Sequence, residues 1–170
     1  MTGQIAAPDD VDRAMEAWRR ERPDLDGDGM EISDRIRRVA ARIRARAGAI
    51  LSPHGVGPSG YAVLAALRRA GKPFERTPTQ LSREVLLTSG AMTHRIDRLE
   101  EQGLVERRPS TGDRRSIGIR LTPEGARVEE RATSARFEEA LRAAAALSDD
   151  ERARLRRVLR KMEAGLQDTG

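Results

Sequence analysis

Arginines and small hydroxyl side chains that could bind a polyanion are concentrated between residues 77 and 121. A guanidinium group can form paired hydrogen bonds with guanine or bind phosphate, and a hydroxyl group can donate to a phosphate oxygen. Asp113 precedes Arg114 and Arg115, so its carboxylate can hold one guanidinium while the other enters a minor groove or meets a phosphate. The side chains expected to contact double-stranded DNA are Thr77, Thr79, Thr88, Ser89, Thr93, His94, Arg98, Arg107, Asp113, Arg114 and Arg115.

Two short helices are predicted to position the first of these side chains. Thr77 can cap a helix that begins at Pro78, and Gln80 completes a capping box. After Thr88-Ser89-Gly90 a second helix is predicted, with an apolar face formed by Met92, Ile96 and Leu99. At about 100° per residue, the outer face of that helix carries Gly90, His94 and Asp97, flanked by Thr93 and Arg98.

A charged β-hairpin is predicted directly after the second helix. Residues 105–108 are predicted to form one short strand, and residues 116–121 alternate in polarity as a second strand does. Residues 109–113, between them, are rich in turn-forming types. Two helices and a basic hairpin form a known DNA-docking arrangement, in which the second helix enters the major groove. The hairpin alone could equally be a solvated charged surface, but its position after two capped helices favours DNA.

The remaining segments are predicted to be helical, so the expected fold is mainly α with a small β-hairpin wing. We expect an extra helix in an N-terminal extension, residues 1–30, and a helical dimerisation region formed by residues 31–56 and 122–170. Residues 57–121 form the expected winged helix-turn-helix. The terminal helices have apolar stripes without an obvious partner in such a small head, which predicts a homodimer.

Composition excludes several classes of protein. The chain has 170 residues, a net charge of +5 and 35% charged residues, which favours polyanionic partners. It has no cysteine, which excludes disulfides, thiol catalysis and Cys-type zinc sites. The sequence contains no run of 18 apolar residues that could span a membrane. Its N-terminus lacks the charged-then-apolar pattern of a signal peptide, so we expect a cytoplasmic protein.

Metal, cofactor and enzyme chemistry are not expected. The segment 24–29 is similar to the start of a calcium loop, but Arg35 occupies the position that needs a bidentate Glu. The only histidines, His54 and His94, are forty residues apart, and no pairing of a nucleophile with a base is visible.

The stretches LTSGAMTHRIDRLEEQGLVERR and DRRSIGIRLTPEG resemble the recognition helix and the wing of the MarR family of winged-helix regulators. The resemblance covers roughly residues 31–159. It implies a homodimer with interlocked N- and C-terminal helices and two heads on a pseudo-palindromic DNA site. Such proteins usually repress, and a small ligand often releases them.

A narrower resemblance, carried by the extra helix with AWRRERPDLD, is to the urate-responsive branch of that family. It implies a small-molecule effector, urate-like or another planar anionic or phenolic molecule, bound by Trp18, Arg69 and Arg95. Ala62 stands where that branch has an Asp. By helix geometry, Arg95 lies about 60° from Met92 and can turn toward the protein body, and Trp18 can stack on a planar ring.

Other roles for these three residues remain open. Trp18 could anchor a dimer core, Arg69 could face solvent or phosphate, and Arg95 could bind phosphate or pair with Glu100 or Glu101. For the whole protein, the alternatives are a helical dimeric scaffold for another protein and a regulator without a small-molecule ligand. Loss of function on removing Arg114 and Arg115 would separate a DNA-binding protein from a scaffold.

Overall fold

The computed structural model describes residues 7–109 and 117–167, and it confirms a mainly helical fold with a small antiparallel sheet. The helices are α1 Asp10–Glu21, α2 Asp28–Leu51, a 3-10 turn Ser52–His54, α3 Pro58–Arg69, α4 Pro78–Glu84, α5 Ser89–Glu101, α6 Pro123–Ala143 and α7 Asp149–Gln167. The strands are β1 Glu75–Arg76, β2 Val105–Pro109 and β3 Ile117–Leu121. None of these helices is long and apolar enough to cross a membrane.

The chain divides into two compact units, Met1–Arg46 and Ala47–Gly170, with the division inside α2. In the first unit Asp9 caps α1, accepting hydrogen bonds from the backbone N–H groups of Val11 and Asp12. Arg35 of α2 pairs with Asp9 and Asp12, which holds the start of α1 against α2, and it also pairs with Glu31 of its own helix.

The second unit is built around a buried α3. Val63, Leu64 and Leu67 are fully buried there and pack with the apolar faces of α5 and the sheet. In the part of the chain that the structure describes, the core cluster of this unit is completed by Ala47, Leu51, Val56, Ala66, Leu81, Met92, Ile96, Leu99, Leu104, Val105, Ile119, Leu121, Val128 and Ala132. The three predicted core residues of α5 are therefore confirmed.

The sheet has one strand more than the predicted hairpin. Its order is β1-β3-β2, all antiparallel, with Arg120 of the central strand opposite both Glu75 and Glu106. β1 escapes sequence analysis because two residues cannot show alternation. One boundary also differs: Thr88 caps α5, so Ser89 and Gly90 lie inside the helix.

The end of α5, the start of β2 and the start of α6 meet at one junction. Thr122 caps α6. Its hydroxyl donates a hydrogen bond to the carbonyl oxygen of Gly103 at 2.7 Å, and its backbone N–H donates to the carbonyl oxygen of Leu104 at 3.1 Å. A β-carbon on Gly125 would lie 1.8 Å from the same Leu104 oxygen, so only glycine allows this close approach.

Candidate nucleic-acid interface

Helix α5 has one buried and one exposed face. Met92, Ile96 and Leu99 are at most 2% exposed, so the helix is fixed to the core along its length. A shallow surface on the opposite side is lined by Gly90, Thr93, His94, Asp97, Arg98 and Glu101. The structure thus brings together Thr93, His94 and Arg98, three of the predicted DNA contacts, on one accessible helix face.

Both helices of the head begin at a threonine cap, α4 where the sequence predicts and α5 earlier than predicted. Thr77 caps α4 by accepting from the N–H of Gln80 at 3.3 Å, and the Gln80 side chain accepts from the Thr77 N–H at 2.9 Å. Thr88 caps α5 by accepting from the N–H of Ala91 at 3.4 Å. Thr79 and Ser89 are exposed in the first turns of α4 and α5, where backbone N–H groups are free to meet an anion.

Arg107, predicted to contact DNA, is engaged by the protein itself. Its two terminal nitrogens pair with Asp97 and Glu100 of α5, and its backbone N–H donates to Glu100 Oε1 at 3.1 Å. The hydrogen bond with Asp97, with the nearby Glu100 charge, raises the pKa of Arg107 above its usual value. The acids at positions 97 and 100 are the signal for this contact, because i,i+3 spacing places both on one side of α5.

The base of the wing carries a second set of ion pairs. Arg120 pairs with the buried Glu75 at 3.0 Å, and Arg108 pairs with Glu106 at 2.9 Å. The Arg108 hydrogen bond lowers the pKa of Glu106. The first pair joins β3 to β1, and the second lies within β2. The predicted contacts Asp113, Arg114 and Arg115 lie outside the described residues.

The predicted ligand residues fall in both units. In the second unit Arg95 lines a small polar cavity of about 180 Å³ with Gly55, Val56, Gly57, Gly60, Arg98, Leu99 and Gln102. Its Nε is buried without a hydrogen-bond partner among the described residues. Arg69 is exposed at the last residue of α3 and does not line this cavity.

In the first unit Trp18 is 56% exposed and lines a mostly apolar cavity of about 160 Å³. Its other lining residues are Met15, Arg19, Arg22, Leu25, Asp26, Gly27 and Met30. Arg22 is tied to Asp24 by two hydrogen bonds of 2.8 and 2.6 Å. Sequence analysis placed Trp18 in a ligand pocket but did not predict Leu25 and Met30 beside it, because they lie in and after an irregular loop.

A helix-turn-helix with an accessible second helix and a three-stranded wing defines a winged-helix DNA-binding protein. A family model described as "MarR family" matches residues 54–116. The regulator PecS of Dickeya dadantii is 32% identical over 157 residues, 92% of this chain and 95% of PecS. MarR of Salmonella typhimurium is 36% identical over 78 residues, 46% of this chain and 52% of that protein.

Comparison with solved structures also identifies MarR proteins as similar to this chain. A mutant of MarR from E. coli, crystallised with operator DNA, superposes with a TM-score of 0.70 at 26% identity, covering 85% of this chain and 96% of that one. The chain belongs to the MarR family and is a DNA-binding transcriptional regulator, not an enzyme. The alternative of a scaffold that acts without DNA is therefore set aside.

Proposed function

We propose that this regulator is a repressor that binds a pseudo-palindromic operator as a homodimer. The observation that carries the proposal is the exposed face of α5, where His94 and Arg98 project from a helix whose other face is fixed to the core. A major groove admits such a helix, and arginine can read guanine there. The E. coli MarR structure similar to this chain was solved with operator DNA, which supports the same use of α5.

Exposed apolar side chains support the homodimer. Phe137 and Leu141 of α6 are 74% and 64% exposed, and Leu155, Val158 and Leu159 of α7 are 44% to 54% exposed. Large apolar side chains in such a row mark an interface, and a second copy offers a matching surface under two-fold symmetry. Sedimentation equilibrium is expected to give twice the chain mass, and Phe137→Glu with Leu141→Glu is expected to give monomers. A monomeric wild-type protein would contradict this part.

We propose further that a small planar anionic or phenolic molecule releases the protein from DNA. Two cavities support this: the apolar one beside Trp18, which can stack on a flat ring, and the polar one that holds Arg95. Arg95 lies on α5, so a ligand that binds its guanidinium acts directly on the helix proposed to read DNA. Ala62 replaces the acid of the urate-responsive branch, so Ala62→Asp is expected to strengthen a response to urate.

The test is a mobility-shift titration on the DNA upstream of the protein's own gene, at low salt and with increasing salt. We expect a discrete complex whose affinity falls steeply as salt rises, because phosphate contacts release counterions. Addition of urate, xanthine or salicylate follows, with Trp18 fluorescence recorded in parallel. No shift at low salt would sink the operator proposal. A shift that no compound reverses, with unchanged fluorescence, would sink the ligand proposal alone.

A further inference from the structure

Arg107 lies on the wing strand β2, but its side chain is directed at helix α5. One terminal nitrogen meets Asp97 and the other meets Glu100 one turn further on, while the Arg107 backbone N–H binds Glu100 Oε1 at 3.1 Å. Three hydrogen bonds from one residue therefore connect the wing to the helix. This contact closes a loop of only a few residues, between the end of α5 and the start of β2.

The negative charges of Asp97 and Glu100 on α5 make this contact important for DNA binding. Asp97 lines the exposed surface of α5 beside His94 and Arg98. A free carboxylate on a surface that approaches DNA is repelled by the phosphates, and a second one at Glu100 adds to the repulsion. Arg107 supplies the opposite charge to both, and it is only 32% exposed while doing so.

We propose that Arg107 is a positioning residue for DNA binding: it holds α5 against the wing through Asp97 and Glu100, and it does not itself contact DNA. This revises the expectation from sequence that Arg107 is a direct contact. The inference rests on DNA binding by the family and not on repression or on a small-molecule effector.

The neighbouring arginine shows the contrast. Arg108 is 58% exposed, and its ion pair is with Glu106 of the same strand, so it can turn toward a phosphate without loosening α5. Arg107 would have to abandon two carboxylates on α5 to reach DNA. Arg108 is therefore the matched control: it has the same residue type, strand and charge, but its ion pair among the described residues is with Glu106 of β2 and not with α5.

A double-mutant cycle separates positioning from direct contact. The probe is a DNA duplex selected by the wild-type protein from random sequence, and affinity is measured over a range of salt. Arg107→Ala is expected to weaken binding about tenfold in the wild-type background and less than about twofold in a background carrying Asp97→Asn and Glu100→Gln. Arg108→Ala is expected to have the same effect in both backgrounds.

Salt dependence gives a second readout. With Arg107→Ala, the slope of log affinity against log salt is expected to stay at the wild-type value, because no phosphate contact is lost. A direct contact would reduce that slope by about 0.9 for each phosphate. An equal loss in both backgrounds together with a reduced slope would overturn the proposal.

The variant with Asp97→Asn and Glu100→Gln tests the same idea if Arg107→Ala does not fold. These changes remove two negative charges per chain, which by electrostatics alone strengthens DNA binding. Positioning predicts the reverse for the selected duplex, with affinity falling about tenfold while binding to unrelated duplex DNA does not fall. Unchanged or tighter binding to the selected duplex would overturn the proposal. Failure to select any duplex would instead count against operator binding itself.

Discussion

The hydroxyl of Thr133 donates a 2.6 Å hydrogen bond to Glu129, a carboxylate buried between α6 and α3. Thr133 has one hydrogen to give, so the 3.0 Å contact with Tyr61 must be a hydrogen bond donated by the tyrosine. Arg68 approaches the same carboxylate at 3.5 Å and lies over the ring of Phe74. The chain of contacts joins α3 to α6 through polar groups inside the second unit.

Removing the buried carboxylate is expected to destabilise the fold. Glu129→Ala removes the acceptor of the short Thr133 hydrogen bond and should lower the free energy of unfolding by about 2 kcal/mol, since Arg68 can turn to solvent. Glu129→Gln keeps an acceptor and should cost less. Urea denaturation measures both, with the exposed Glu130→Ala as control. Equal stability of Glu129→Ala and the control would contradict the expected role.

A methyl group at position 125 is expected to disrupt the junction at Leu104. Gly125→Ala places a β-carbon against a backbone oxygen that cannot move aside as a side chain can. We expect a loss of about 3 kcal/mol in the free energy of unfolding. The control is Gly29→Ala on α2, where the added β-carbon would meet nothing within 4 Å. This change should leave the free energy of unfolding unchanged or raise it by up to about 1 kcal/mol. A variant at 125 as stable as the control would refute the steric reasoning.

The exposed face of α5 is expected to determine which DNA sequence is bound. His94→Ala and Arg98→Ala should each weaken binding to a selected duplex by tenfold or more, consistent with about 1–3 kcal/mol for a base contact. Binding to unrelated DNA should change less. Arg127→Ala, an exposed arginine on α6, is the control. If Arg98→Ala weakens selected and unrelated DNA equally, its role is phosphate binding, contrary to this prediction.

Acid is expected to loosen α1 through Asp10. Hydrogen bonds from Arg38 and Arg13 lower the pKa of Asp10 below 3.8. A carboxyl with a lowered pKa stabilises the fold above its unfolded pKa, and that contribution disappears as pH falls through the folded pKa. Stability of α1 should therefore decline from about pH 4 downwards, visible as a change in the fluorescence of Trp18 on the same helix.

A matched pair of variants isolates that effect. Asp10→Asn removes the titrating group, so it should weaken the acid transition of Trp18 fluorescence. Glu16→Gln leaves the link to α2 intact, since Glu16 pairs only weakly with Arg19 of its own helix at 3.5 Å. Identical acid transitions in the two variants would exclude Asp10 as the source.

Sequence predicted the parts of the fold that are determined locally. The capping box at Thr77 and the buried face of α5 follow from residue types at fixed spacing, so they needed no tertiary information. β1 could not be predicted, because Glu75 forms a strand only through pairing with Arg120, 45 residues later. The partners of Arg107 lie only 7 and 10 residues before it, but they were missed because the position of β2 beside α5 depends on how the turn at Gly103 folds. The burial of Glu129 could not be predicted, because most other charged residues of the same helix are exposed.

The junction at Leu104 also gives the molecule a mechanical property. α6 has 21 residues and is therefore about 30 Å long, with its first turn fixed by Thr122 and Gly125 to the chain that leaves α5. A shift of about 3 Å at its far end, near Ala143, corresponds to a tilt of roughly 6° at that pivot. Helix α6 is thus a lever arm whose pivot, its first turn, lies against the residues that follow α5.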